Sequence, residues 1–195
     1  MCKFTEPYTT NYNRLEHGKC QYHKAGECFE ISEEHKDGHA KLTVRAVDEC
    51  FHVKADQNKF PLLKNQRCAD YIILIFDSGR IAWSLHIIEF TKSVGRTEWE
   101  GKIIPQFDGA LLNARAIAGV MELPQFDSIT AHCAYRFNKE LASPATQKSM
   151  LGKRATNSWT AGSQITLPSF PEVLIHKKLI KLNEETGIGL PIELC

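Results

Sequence analysis

Apolar and polar residues alternate along much of the chain, and their period predicts the elements. Leu42, Val44 and Ala46 interleave with Lys41, Thr43 and Arg45, a period of two that marks a half-buried strand. Residues 51–54 read as the next strand. The run from Asp70 to Phe76 is apolar at nearly every position and dense in β-branched and aromatic residues, as in a central strand buried on both faces. Asp77-Ser78-Gly79-Arg80 predicts a hairpin turn, and the chain returns as a strand over 81–91. The period then lengthens. Phe107, Leu111, Ala114, Ala118 and Met121 recur at steps of three and four, which predicts a helix over 105–122. Pro105 suits its first turn, where a missing N–H costs nothing, and Pro124 closes it. Gly109, Ala110, Ala114, Ala116, Ala118 and Gly119 keep this helix slim, so it can lie close against a sheet. Residues 129–137 alternate again as a strand, and 173–181 read as a short strand or helix.

The remaining segments lack such a period. Residues 1–26 read as an irregular N-terminal arm or a poorly defined helix, 57–66 as a turn-rich connection, 138–163 as a long polar loop and 164–195 as a C-terminal extension. Strands, a hairpin, one main helix and a further strand together predict one mixed α/β domain over 1–195. Its class is α+β or a small three-layer fold, with a central mixed β-sheet and a core at 40–137.

Composition narrows the function classes. The 195 residues are 43% hydrophobic and 24% charged, ordinary for a globular domain and unlike collagenous or disordered chains. No apolar run approaches the roughly 20 residues that span a bilayer, so no membrane role is expected. The formal net charge of +1 gives no global pull towards phosphate, and any nucleic-acid role must rest on a local basic face. The seven cysteines, in a chain that starts without an apolar leader, point to free thiols in a reducing cytoplasm.

One spacing carries chemistry. A hairpin sets the start of one strand beside the end of the next, so Asp70 and Glu89 are expected to meet at one end of the sheet. Asp70 lies eight residues before Ser78 and Glu89 ten after Gly79, a mismatch of two that a bulge or a longer turn can absorb. Two carboxylates flanked by apolar residues are costly to bury unless they are paired or hold a cation. An oxygen-rich pair suits Mg²⁺ or Mn²⁺ with water and phosphate, and Lys92 is the nearby amine that could orient water. A plainer reading has Asp70 pairing with Arg67 at a strand start, and Glu89 with Lys92 as a solvated strand end.

Arg67-Cys68-Ala69-Asp70-Tyr71-Ile72, then Ile87-Ile88-Glu89-Phe90-Thr91-Lys92, then a helix bearing Gln106, resembles the PD-(D/E)xK nuclease superfamily over about residues 50–137. The resemblance implies a restriction-endonuclease-like core and a Mg²⁺- or Mn²⁺-dependent nuclease that hydrolyses phosphodiester bonds of DNA or RNA. Members of that superfamily act in restriction, repair or phage defence. Asp70 and Glu89 would be the metal ligands, and Gln106 would face the site. The pattern departs at the lysine, because Thr91 stands at the family position and Lys92 one residue beyond. In a regular strand Thr91 shares the face of Glu89 and Lys92 does not. Three readings stay open: a bulge turns Lys92 back, another residue supplies the amine, or the site is inactive. The inactive case gives the alternative function, a nuclease-like subunit that binds nucleic acid or a protein partner, with a homodimer also conceivable.

Two further clusters are candidates. His17, Cys20, His23, Cys28, His35 and His39 offer enough nitrogen and sulfur for a tetrahedral zinc site, although their spacing matches no standard zinc pattern. Lys148, Lys153 and Arg154, with Trp159, have the composition that contacts phosphates and stacks on bases, which is equally that of a solvated loop.

Overall fold

The computed structural model describes residues 11–16, 19–35, 38–55, 67–139 and 163–195. The strands are β1 (Cys20–His23), β2 (Cys28–His35), β3 (Gly38–Ala46), β4 (Glu49–Lys54), β5 (Tyr71–Asp77), β6 (Ala82–Val94), β7 (Ser128–Asn138), β8 (Gln164–Leu167), β9 (Phe170–Lys181) and β10 (Ile192–Leu194). Between β6 and β7 the chain is helical without a break. A short α1 (Arg96–Glu98) runs into a π-helical turn (Trp99–Ile103) and then into α2 (Ile104–Met121).

Seven strands form one sheet in the order β1-β4-β5-β6-β7-β9-β8, and β10-β3-β2 form a second. The helical crossover makes β6 and β7 parallel, and β9 continues the parallel set, while β4, β5 and β6 are antiparallel neighbours. The large sheet is buried on both faces, which explains the almost unbroken apolar run of β5. Ile72, Leu74 and Phe76 point to the helix side, where they pack with Phe107, Leu111 and Ala114 of α2. Tyr71, Ile73 and Ile75 point the other way, onto Ile31, Leu42 and Val44 of the small sheet. The result is a single mixed α/β domain in three layers: helix, large sheet, small sheet.

Several elements extend the sequence reading. Strand β1 lies within residues 1–26, where the sequence predicts an irregular arm or a poorly defined helix, and β2 shows the alternation of Phe29 and Ile31 with Glu30 and Ser32. Residues 173–181 form part of a strand, and β8 and β10 lie in the expected C-terminal extension. Helicity begins at Arg96, well before Pro105, and α2 ends as Glu122 takes a left-handed conformation ahead of Pro124. The turn-rich and long-loop expectations fall on 56–66 and 140–162, outside the described residues. Among the described residues no helix is long and apolar enough to cross a membrane.

Two local devices set the fold's behaviour. A Cβ at Gly109 of α2 would fall on the main-chain carbonyl oxygen of Arg67, so only glycine lets the helix meet the segment that leads into β5. Gly109→Ala is therefore expected to destabilise the domain by about 1–3 kcal/mol through overpacking, read as a lower urea midpoint. The seam between the two sheets holds four buried histidines. His23 Nε2 and His52 Nδ1 lie 2.9 Å apart with both rings stacked on Phe29, and His86 Nδ1 and His132 Nε2 lie 3.1 Å apart. Burial lowers all four, His52 and His86 to about 4. A base with a depressed folded value stabilises the fold fully above its unfolded pKa of about 6.5 and loses that contribution as pH falls below it. The urea midpoint is expected to drop from pH 7 to pH 5. In Glu89→Gln, which removes the opposing titration of that buried carboxyl, a midpoint that holds or rises would contradict neutral burial of these rings.

Candidate active site

The β5–β6 turn holds residues 78–81, with Ile81 at φ 55, and pairing runs from Asp77↔Ala82 to Tyr71↔Ile88. This longer turn absorbs the mismatch of two. One step beyond the last pair, Asp70 stands opposite Glu89, and both side chains fall on the helix side of the sheet, as Ile72 and Ile87 do. The site lies where β5 begins and beside the middle of the parallel β6–β7 pair, with Glu89 level with Cys133.

Both carboxylates are buried, and their surroundings differ. Asp70 Oδ2 accepts the Phe90 N–H at 2.6 Å. The Glu89 side chain is 1% exposed, with Lys102 Nζ 3.2 Å from Oε1. Its Oε2 is buried and accepts no hydrogen bond among the described residues. Burial, and then the charge of Asp70, push the Glu89 carboxyl well above the usual carboxylate range, with Lys102 opposing. For Lys102 burial pulls downward, but Glu89, Asp70 and Glu33 outweigh it, and the amine sits above the ordinary lysine value. A solvated strand end does not describe this glutamate.

The helical crossover delivers Lys102. After β6 the chain turns at Gly95, and the π turn buries Trp99 and Ile103 while Lys102 reaches Glu89. Such turns recur at functional sites because they shift a side chain without ending the helix. Pro105 brings no N–H, so a carbonyl one turn earlier needs another donor, and the Gly101 carbonyl accepts from Arg67 Nη1 at 2.9 Å. Ala69 N–H donates to the Gln106 carbonyl at 3.1 Å, and Gln106 Nε2 approaches the Cys68 carbonyl at 3.5 Å. These contacts clamp 67–69 to the start of α2 and so position Asp70. The Gln106 side-chain carbonyl oxygen is buried and, like Glu89 Oε2, accepts no hydrogen bond among the described residues.

A buried carboxylate oxygen lacking a donor, in a facing carboxylate pair, is a donor set that fits a hard divalent cation. Among the described residues no group of three or more His, Cys, Asp or Glu side chains is arranged around a metal position. The protein's share would be Asp70 and Glu89, with water and substrate oxygens completing the shell, the arrangement Mg²⁺ commonly adopts.

The other expected residues are distributed as follows. Lys92 is exposed and, by strand parity, on the face opposite Glu89, so the amine at the carboxylates is Lys102. Thr91 shares the Glu89 face, and its hydroxyl donates to the Ser93 carbonyl at 3.1 Å. Cys133, beside Glu89 on β7, is held strongly protonated by burial and then by the Glu89 charge, which makes it a poor nucleophile. Among the described residues the Cys/His cluster does not converge. Cys20 packs in the helix-side core, His23 faces the other way against His52, and exposed Cys28 starts β2. His39 lies near the far tip of the β2–β3 hairpin. His17 and the side chain of His35, like Lys148, Lys153 and Arg154, lie outside the described residues.

Next to the carboxylates a cleft of about 310 Å³ opens between the β2–β3 hairpin and the α1–π segment. Lys92, Lys102, Arg136 and Lys139 line it together with Glu33 and Glu98. Comparison of the chain with protein-family models, with curated proteins and with solved structures found no match.

Proposed function

We propose that this protein is a Mg²⁺- or Mn²⁺-dependent nuclease that hydrolyses phosphodiester bonds, with Asp70 and Glu89 as the cation-binding carboxylates. The reading rests on one observation: carboxylates from facing strands share a buried end of the sheet, and Glu89 keeps one oxygen without a donor. That is an expensive arrangement in a folded chain unless a cation occupies it. A bound divalent cation supplies Lewis acidity towards a phosphoryl oxygen and towards water.

The chain's own groups take the remaining roles. Lys102 stays protonated, because the acidic groups around it raise its pKa, so it acts as a donor to charge developing on the phosphoryl oxygens and not as a base. Gln106 presents a carbonyl oxygen that can accept from an incoming water. Asp70 is oriented by the Phe90 N–H.

The test is incubation with plasmid, linear duplex, single strands and RNA in the presence of Mg²⁺ or Mn²⁺. Cleavage is expected, and it should be lost in Asp70→Ala and in Glu89→Ala. Cleavage retained in both variants would reject the assignment. Binding without cleavage would support the inactive nuclease-like subunit.

A further inference from the structure

The cations of the cleft are not equivalent. Lys102 is engaged with Glu89 and Lys139 with Glu98. Among the described residues, neither Lys92 nor Arg136 has a carboxylate within ion-pair distance. The two are also neighbours. The β6–β7 pairing runs through Thr91↔Tyr135 and Ser93↔Phe137, so Lys92 stands beside Arg136 on the same face of adjacent strands. Like charges side by side across a strand pair repel, a cost that an anion between them would remove.

Arg136 is held in place from behind. A Cβ at Gly38 would lie 2.8 Å from its Nη1, and one at Gly187 would collide with its Nη2. Both glycines have positive φ, 140 and 71, so the backbone passes close to the guanidinium where a side chain would displace it. A planar fork backed by main chain and open to a cleft is suited to phosphate oxygens.

We propose that Lys92 and Arg136 form a clamp for a phosphate flanking the one at Asp70 and Glu89, on a single-stranded polynucleotide. This rests on the nuclease reading for the identity of the neighbouring site. The strand would pass round the carboxyl end of β6, from the helix face to the small-sheet face. The cleft is walled on two sides, by the β2–β3 hairpin and the α1–π segment, and its volume of about 310 Å³ is of a scale that favours one unpaired strand over a duplex. A mononucleotide or small diester would leave the clamp empty, so the substrate must carry at least two phosphates.

The test uses fluorescence anisotropy with short labelled single-stranded DNA, single-stranded RNA and duplex DNA, in EDTA so that binding is read without cleavage. The variants are Lys92→Gln, Arg136→Gln, their double mutant, and Lys24→Gln as a unit-charge control at the opposite end of β2. Single strands are expected to bind the wild type more tightly than duplex. The double mutant should weaken binding about ten-fold or more, and each substitution should lower the slope of log K against log salt by about 0.7. Lys24→Gln should lower neither as much. Lys92→Gln should also raise the melting temperature of the free protein by relieving the repulsion, which a purely structural lysine would not do. Should Arg136→Gln unfold, Lys92→Gln with Arg136→Lys, which keeps the charge and loses the fork, carries the test. Unchanged affinity and slope in Lys92→Gln, preference for duplex, or no binding by the wild type would each overturn the clamp. Because these readouts need no catalysis, a failure of the nuclease reading appears separately, as absent metal-dependent cleavage.

Discussion

Glu89→Gln is expected to make the protein more stable and inactive at once. The glutamate is buried against Asp70 with one oxygen unserved, and its partner Lys102 is half exposed and can return to water when the charge is removed. Neutralising the carboxylate should add about 1–3 kcal/mol, the usual scale for relieving an unfavourably buried charge. In a domain of this length that is a rise of roughly 2–4 °C in Tm per kcal/mol. The sign follows from linkage. A folded carboxyl pKa above the unfolded value means that the native state binds protons more tightly, so Glu89 erodes stability as pH rises through its unfolded pKa of about 4.3 and on to its raised folded value. The advantage of Glu89→Gln should thus be absent in acid and full at high pH. Cation-assisted cleavage should fall by about 10³-fold, since several kcal/mol of transition-state stabilisation are lost. Added Mn²⁺ should raise the Tm of the wild type and leave that of the variant alone. A variant less stable at neutral pH, with cleavage intact, would remove the basis of the site.

Lys102→Met is the second large effect. The amine is the cation in contact with Glu89, and its loss should lower kcat by about 10²–10³-fold, the range for removing one electrostatic donor from a reacting centre. A second signature separates this role from a structural one. Without the ammonium the Glu89 carboxyl rises further, so the ascending limb of the pH–rate profile should move to higher pH. Lys102→Arg keeps the charge and should restore the profile in part. A kcat and pH profile unaltered in Lys102→Met would return the search for the amine to other cations of the cleft.

Why the carboxylates were legible and the amine was not is a matter of distance along the chain. Asp70 and Glu89 are joined by a hairpin, whose geometry follows from a turn flanked by apolar strands, and the residual mismatch needed only a turn running to Ile81. Strand parity likewise told the faces of Thr91 and Lys92 apart. Lys102 reaches Glu89 through a π turn, which leaves no periodic mark in sequence, so the apolar period predicts the helix only from Pro105 onward. The same limit applies to Cys20 and His23. Three residues apart on a strand they fall on opposite faces, although a helix would have brought them together. Strand β2 has the alternation of a half-buried strand, but the charged run Glu33-Glu34-His35-Lys36-Asp37 masks it.

The turn at 78–81 and the strand beyond it differ in what they tolerate. Pairing at Asp77↔Ala82 is fixed by side chains on both faces of β5 and β6, not by the loop. Residues can thus be added or trimmed within 78–81 while the acidic pair keeps its alignment. A single-residue insertion between Trp83 and Ile88 would instead invert everything downstream. It would send Glu89 into the apolar seam between the sheets and bring Ile88 to the cation position opposite Asp70. Length variation in this hairpin should therefore be silent at its tip and abolish activity in its stem.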